Sequence, residues 1–196
     1  MRLDEQLAFV TEIGRLKGVL RQTRLAGAGL DRRENSAEHS WHLALMALAL
    51  AEHAPPGTDL SKVITMVLIH DLVEIDAGDL FAYADETSQQ LQDAAEAEAA
   101  DRIFAILPAD QACTLRELWD EFNERRSPEA RFARALDRLQ PMLENRAAGG
   151  GTWQTHGVTA DQVLTKVALI DDGSPSLGQY ARDLVARAVA DGILAA

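Results

Sequence analysis

His70 and Asp71 stand together near the end of the most apolar run in this chain, Val67-Leu68-Ile69-His70-Asp71-Leu72-Val73-Glu74-Ile75-Asp76-Ala77-Gly78-Asp79. Burying an imidazole beside a carboxylate in apolar surroundings is costly unless the two pair or hold a cation. An isolated His-Asp dipeptide would read as a local hydrogen bond at a helix end. This one is not isolated, because Glu74, Asp76 and Asp79 follow and four acids and a histidine fall within ten positions. Imidazole and carboxylate donors together suit a borderline or hard divalent ion such as Mn, Fe, Co, Ni or Zn. Two donors do not close a site, so others must come from elsewhere in the chain. His39 and His42, three apart on one helix face, are both candidates. Asp137, an acid between Leu136 and Leu139, is another. Each of these three, taken alone, fits a surface histidine or the edge of a helix face.

The elements that must position these residues are helices. Ala and Leu number 59 residues against 18 of Val and Ile, which favours helix over sheet. Leu3, Leu7, Val10, Ile13 and Leu20 recur at helical spacing. Gly27, Gly29 and a group of arginines follow, so residues 22–34 read as a loop. Asn35 or Ser36 opens a second helix with Glu38 closing a capping box, and Pro55-Pro56-Gly57 stops it. A third helix starts near Asp59 or Leu60, is apolar on nearly every side and therefore central, and runs to Gly78. Thr87 to Leu107 is Ala- and Glu-rich with one solvated face, ended by Pro108, and another helix covers 111–125. Ser127-Pro128-Glu129 combines a cap, a first-turn proline and an acid at the positive end of the dipole. The helix it opens reaches Arg146, with Pro141 expected to kink it. A loop through His156 precedes a Thr159/Gln162 capping box and helices over 160–171 and 176–190. No repeat, linker or alternating strand is visible, so the expected fold is all-α, one domain of about eight helices.

Three blocks, in order, carry a family resemblance: Arg32-Arg33-Glu34-Asn35-Ser36-Ala37-Glu38-His39; His70-Asp71-Leu72-Val73-Glu74-Ile75-Asp76-Ala77-Gly78-Asp79-Leu80; and the stretch from Ser127 to Asn145 around Ala135-Leu136-Asp137-Arg138-Leu139. Together they resemble the HD-domain metal-dependent phosphohydrolases, and within them the 5′-deoxynucleotidase branch. The resemblance runs from about residue 15 to 147. It implies a single HD domain over 1–196, with C-terminal helices 159–191 packed on that core. It implies that His39, His70, Asp71 and Asp137 ligate one divalent metal (Co, Mn, Fe, Ni, Zn or Mg). Glu74 and Asp79 match the acids that act around the attacking water and leaving group. Arg21 matches an arginine that contacts the nucleotide, and Arg32 falls at a second recurrent basic position. His42 matches no ligand. The implied activity is cleavage of (deoxy)nucleoside 5′-monophosphates to nucleoside and phosphate. The alternatives are another small phosphate ester, or a module that holds metal or nucleotide without turnover; retention of both Glu74 and Asp79 argues against the latter.

Composition narrows the partners. With 19 basic and 31 acidic residues in 196, the net charge is −12, which argues against nucleic-acid polymers and anionic membranes. A small anionic substrate remains compatible if a metal or arginine supplies local positive charge. No apolar stretch reaches membrane-spanning length and the start lacks a signal-peptide pattern, so a cytoplasmic protein is expected. The one cysteine, Cys113, excludes a disulfide framework and reads as a small buried hydrophobe. Trp41 and Trp153 read as packing residues, His53 and His156 as surface. The Ala-rich helices and the family's habit of helix-mediated association lead to an expected homodimer or higher oligomer. Related enzymes carry a bulky aromatic beside or shortly after the Arg21 position; here Gln22 follows, so a weakened preference for deoxyribose over ribose is expected.

Overall fold

A computed structural model describes residues 1–25 and 30–196 of the chain. Along the sequence run α1 (Arg2–Ile13), β1 (Leu20–Leu25), β2 (Arg32–Asn35), α2 (Ser36–Ala49), α3 (Leu60–Ile69), α4 (Glu74–Ala77), α5 (Glu86–Phe104), α6 (Ala109–Glu124), α7 (Pro128–Ala147), α8 (Gly151–Thr155), α9 (Ala160–Gly173) and α10 (Pro175–Ala190). The architecture is predominantly α, as the composition implies.

The caps form where the side chains allow them. Asn35 Oδ1 accepts from the Glu38 amide at 3.0 Å while Glu38 returns the bond to the Asn35 amide at 2.7 Å. Asp59, Ser127 and Thr159 cap α3, α7 and α9. At the centre lies α7, which packs on α2, α3, α6, α9 and α10. Its Ala130, Phe132, Ala133, Ala135, Leu136 and Leu139 are all buried. A second apolar group joins Phe9, Leu16, Ile69, Val73, Ile103, Phe104 and Trp119, and so clamps α1 and α5 around the end of α3.

Several sequence expectations are corrected. The first helix ends at Ile13 and does not reach Leu20, and the ends of the segment 22–34 expected as loop belong to an antiparallel pair, Leu20–Leu25 with Arg32–Asn35. Gly27 and Gly29, assigned to that loop, lie outside the described residues. The hairpin escapes pattern reading because the residues of β1 that turn inward are Arg21 and Thr23, both buried and polar, so no apolar alternation exists to be seen. The third helix does not run unbroken to Gly78. It ends at Ile69, the chain turns through 70–73, and α4 follows. Bonds from the Leu72 amide to Ile69 and from the Glu74 amide to Asp71 tighten that turn, and the Trp119 indole donates to the His70 carbonyl at 3.1 Å. A short α8 occupies part of the segment expected to be loop. Among single residues, Trp153 is core but Trp41 is 61% exposed. Cys113 is also exposed, on the outer face of α6, rather than buried.

Helices α9 and α10 join the main core through Val163, Val167, Ile170, Leu177, Ala181 and Leu184. The crossing of α9 over α7 is closest at Gly173, where an added Cβ would lie 2.2 Å from the Arg131 carbonyl oxygen. Backbone cannot yield as a flexible side-chain tip can. Gly173→Ala is therefore expected to destabilise the protein by about 1–3 kcal/mol, the usual range for overpacking, read as a lower urea midpoint. An unchanged midpoint would mean that α9 does not rest on α7 as described.

Candidate metal centre and its cleft

Four side chains from three elements converge on one buried point. His39 comes from the first turn of α2, His70 and Asp71 from the turn after α3, and Asp137 from the middle of α7. His39, His70 and Asp137 offer donor atoms that all lie within 4.8 Å of one another. His39 Nε2 is 3.2 Å and His70 Nε2 is 3.7 Å from the same Asp137 oxygen. Asp71 stands beside them, with one oxygen 2.9 Å from His70 Nε2 and the other 3.9 Å from His39 Nε2.

Each imidazole is oriented from behind. His70 Nδ1 donates to the Val67 carbonyl at 2.9 Å, and His39 Nδ1 donates to Gln140 Oε1 at 3.1 Å. Both bonds place the proton on Nδ1 and leave the Nε2 lone pair facing Asp137, the tautomer a metal ligand needs. Gln140 in turn donates to Glu34 Oε1 at 2.7 Å, and the other Glu34 oxygen faces Arg21 Nε at 3.3 Å. Glu34 and Gln140 thus tie a candidate ligand to the hairpin. Nothing in their residue types signals this; only burial at 2% and 0% exposure does. His42, the alternative on α2, accepts from Gln140 at 3.3 Å and lies outside the cluster.

The cluster fits a cation. His70 Nε2 is buried and makes no well-directed hydrogen bond, although oxygens of Asp71 and Asp137 stand 2.9 and 3.7 Å away; two carboxylates crowding one ring nitrogen fit a cation between them. Burial opposes a charge on His70, but Asp71 and Asp137 outweigh it and raise its pKa to about 10. The two carboxylates thus favour positive charge at Nε2, as they would favour a bound cation. Burial likewise works against ionisation of Asp137, yet Arg138, His39 and His70 hold its carboxylate well below the usual range. Pro141 adds a further feature, since it has no N–H to offer the Asp137 carbonyl four residues before it.

Around this point opens a cleft of about 330 Å³. Arg21 enters it from β1, where a register shift between Leu20 and Arg24 interrupts the pairing; irregularities of this kind re-aim side chains next to functional sites. Its Nη1 donates to Asp71 at 2.6 Å. Glu74 is buried and accepts from the Ser36 hydroxyl. Burial first, then the charges of Asp71 and Asp79, push its pKa well above the ordinary carboxyl value despite Arg21. Gly78, at φ +74°, turns the chain after α4, and Asp79 accepts from the Gln22 amide at 2.8 Å. The Asp79 carboxyl is also raised, chiefly by burial. Phe81, Tyr83, Phe122 and Trp153 supply the aromatic lining. The fold does not bring Arg32 here. Its guanidinium sits on Glu38 at the exposed start of α2, outside the cleft lining.

Breaking the support behind His39 has a calculable effect. Gln140→Leu leaves the His39 Nδ1–H and the Glu34 carboxylate without their buried partners. Loss of such outer partners typically weakens metal binding about 10–100-fold. Titration of the metal-free variant with Co(II), followed by absorbance, should show that weakening; affinity equal to wild type would remove Gln140 from this role.

A helical bundle that buries two imidazoles and two aspartates around a shared point, beneath a cleft lined by arginines and acids, has the make-up of a candidate metal centre. The chain belongs to the HD domain family, whose model matches residues 13–177. It is similar to the human 5′-deoxynucleotidase HDDC2, 30% identical over 138 residues, covering 70% of this chain and 65% of that protein. It is also similar to the crystal structure of a predicted metal-dependent phosphohydrolase from Magnetospirillum magnetotacticum, with 49% identity, TM-score 0.94, and coverage of 100% of this chain and 96% of that one. An HD-domain phosphohydrolase from Listeria innocua shares the fold at TM-score 0.60 and 16% identity, over 93% of this chain and 84% of that one. Among the described residues, no helix is long and apolar enough to cross a membrane.

Proposed function

We propose that the protein is a metal-dependent phosphohydrolase that cleaves (deoxy)nucleoside 5′-monophosphates to nucleoside and phosphate. The observation that carries the reading is the convergence of the buried Nε2 atoms of His70 and His39 on one oxygen of Asp137, in a cleft lined by Arg21. The residues that would hold the ion are His39, His70, Asp71 and Asp137. The chemistry a divalent ion supplies when bound there is activation of a water and neutralisation of phosphate charge.

The remaining work falls to the chain's own groups. Arg21, fixed between Asp71 and Glu34, presents a guanidinium to the phosphate or sugar without needing to reorganise. Glu74, whose carboxyl pKa is raised by burial beside Asp71 and Asp79, is the group proposed to supply the proton that the departing 5′-oxygen requires, and the Ser36 hydroxyl fixes the orientation of its carboxyl group. Asp79, tied to the Gln22 amide and lining the same cleft, is the second acid proposed for proton transfer. Negative charge that builds on the departing oxygen is met by donors already in place in the cleft.

The relatives named 5′-deoxynucleotidase support the nucleotide as substrate; Gln22, in place of an aromatic, supports tolerance of ribose. The reading includes a cytoplasmic homodimer, for which the exposed apolar row Trp41, Leu45 and Leu48 along α2 is suited. Phosphate release from a panel of ribo- and deoxyribonucleoside 5′-monophosphates, with and without chelator, tests the activity. Chelator-sensitive release from the deoxy forms, with ribo forms within about tenfold, is expected. Release from sugar phosphates but from no nucleotide would overturn it.

A further inference from the structure

Arg21 reaches the cleft from the irregular part of β1, and side chains hold the backbone there. Leu20 pairs with Asn35 and Arg24 with Arg33, so Arg21, Gln22 and Thr23 lie opposite the single residue Glu34. A ladder with three residues against one cannot satisfy all of their backbone groups, and each buried orphan needs another partner. The Arg33 guanidinium donates through Nε to the Arg21 carbonyl and through Nη2 to the Leu20 carbonyl, the latter at 2.9 Å. The Gln22 carbonyl accepts from the Thr152 hydroxyl at 3.0 Å, and the Gln22 amide donates to Asp79. The carbonyls of three successive residues, with Arg21 in the middle, are therefore gripped by side chains.

Thr152 is itself built into place. It is buried near the start of α8. Its amide donates to Asn145 Oδ1 at 2.7 Å, and the Trp153 amide donates to the same oxygen at 3.3 Å. Asn145 Nδ2 donates to the Pro141 carbonyl at 2.8 Å, so the support stands on α7, the helix that carries Asp137. The chain reaches this position through Gly149, Gly150 and Gly151, all with positive φ, a backbone that favours glycine. A Cβ at residue 151 would stand 2.9 Å from that same Asn145 oxygen. A plain connection between α7 and α9 needs neither this turn nor a hydroxyl aimed back at β1.

Arg21 is the side chain whose placement these bonds decide. It is buried, with Nη1 2.6 Å from Asp71 and 4.0 Å from Glu74, and Nε 3.3 Å from Glu34. With three acids around one guanidinium, the partner it takes depends on where the strand places its Cα. We propose that Thr152 and Arg33 are positioning residues: by fixing the peptides on either side of Arg21, they aim its guanidinium at Asp71, where it meets the phosphate group of the substrate. This rests on the reading of Arg21 as a phosphate contact. An arginine held in place before the anion arrives loses less freedom on binding. The Thr152 hydroxyl contributes to affinity in this way even though the Gln22 carbonyl engages it, and the segment after α7 becomes part of the site.

The test is a double-mutant cycle read by calorimetry of inorganic phosphate binding to Co(II)-loaded protein, with cobalt content matched by elemental analysis. Thr152→Val keeps the shape of the side chain and removes the hydroxyl; it should weaken phosphate binding about 3–10-fold, the effect of one hydrogen bond. Thr152→Ser, which keeps the hydroxyl, should bind as wild type does. In an Arg21→Ala background Thr152→Val should cost nothing further, since effects that act through one residue are not additive. Arg33→Met should show the same dependence on Arg21, and it stands in if Thr152→Val does not fold. An equal loss with and without Arg21 overturns the proposal. Crystal structures of wild type and Thr152→Val give a readout that does not depend on phosphate. The Arg21 guanidinium should leave Asp71 in the variant, and an unmoved guanidinium overturns the proposal. If wild type binds no phosphate, the phosphohydrolase reading fails and the crystal structures alone decide the positioning. If wild type and Thr152→Val hydrolyse monophosphates equally with Arg21 unmoved, the positioning fails and the nucleotidase reading stands.

Discussion

Asp137→Asn is expected to lose metal and activity together, with activity falling by more than about 100-fold, beyond the range typical of losing an outer-sphere partner. The substitution keeps the shape of the side chain and removes its charge. Both imidazoles face one oxygen of this carboxylate, and Arg134 and Arg138 face the other. With the charge gone, two imidazoles and two arginines are left around a neutral amide, and a divalent cation brought among them meets only Asp71 as counter-charge. Elemental analysis should therefore find well under one metal per chain, and phosphate release should fall in proportion. Full occupancy with full activity would place the centre elsewhere.

Glu74→Gln is expected to do the opposite on one axis. Glu74 is not in the donor group of His39, His70 and Asp137, so metal content should match wild type. Turnover should drop about 10²–10⁴-fold, the contribution usual for a general acid or base. Gln is isosteric and can still accept from Ser36, so the fold and cleft should be kept; what it lacks is a proton to give up. A variant with wild-type metal and wild-type kcat would end the assignment of Glu74 to proton transfer. The two variants form a pair: one removes the place where the ion sits, the other removes a proton carrier beside it.

The legible parts of this site were those where residue type conflicts with its surroundings. A histidine and acids at the end of an apolar run stand out in His70, Asp71 and Glu74, because burial of such groups demands a reason. The helix caps were readable too, since Asn35, Ser127 and Thr159 act through contacts only three residues away. The hairpin was not, because its inward side chains are an arginine and a threonine, and a polar interior strand looks like a loop. Glu34 and Gln140 look like ordinary polar residues until α2, β2 and α7 are brought together. Arg134, Arg138 and Lys166 carry no signal of their own, because in sequence a cation facing water and a cation facing a cleft are identical. Arg32 shows the converse, since its place in a motif block does not bring it to the cleft; its guanidinium is occupied by Glu38 outside.

The central claim is that His39, His70, Asp71 and Asp137 hold one divalent ion. Anomalous diffraction from crystals of Co(II)-loaded protein, recorded at the cobalt edge, tests it most directly. The account predicts one strong peak per chain, within bonding distance of Nε2 of both histidines and of an oxygen of each aspartate. A peak bound by other residues, or no peak at this point in crystals that carry cobalt elsewhere, would contradict it.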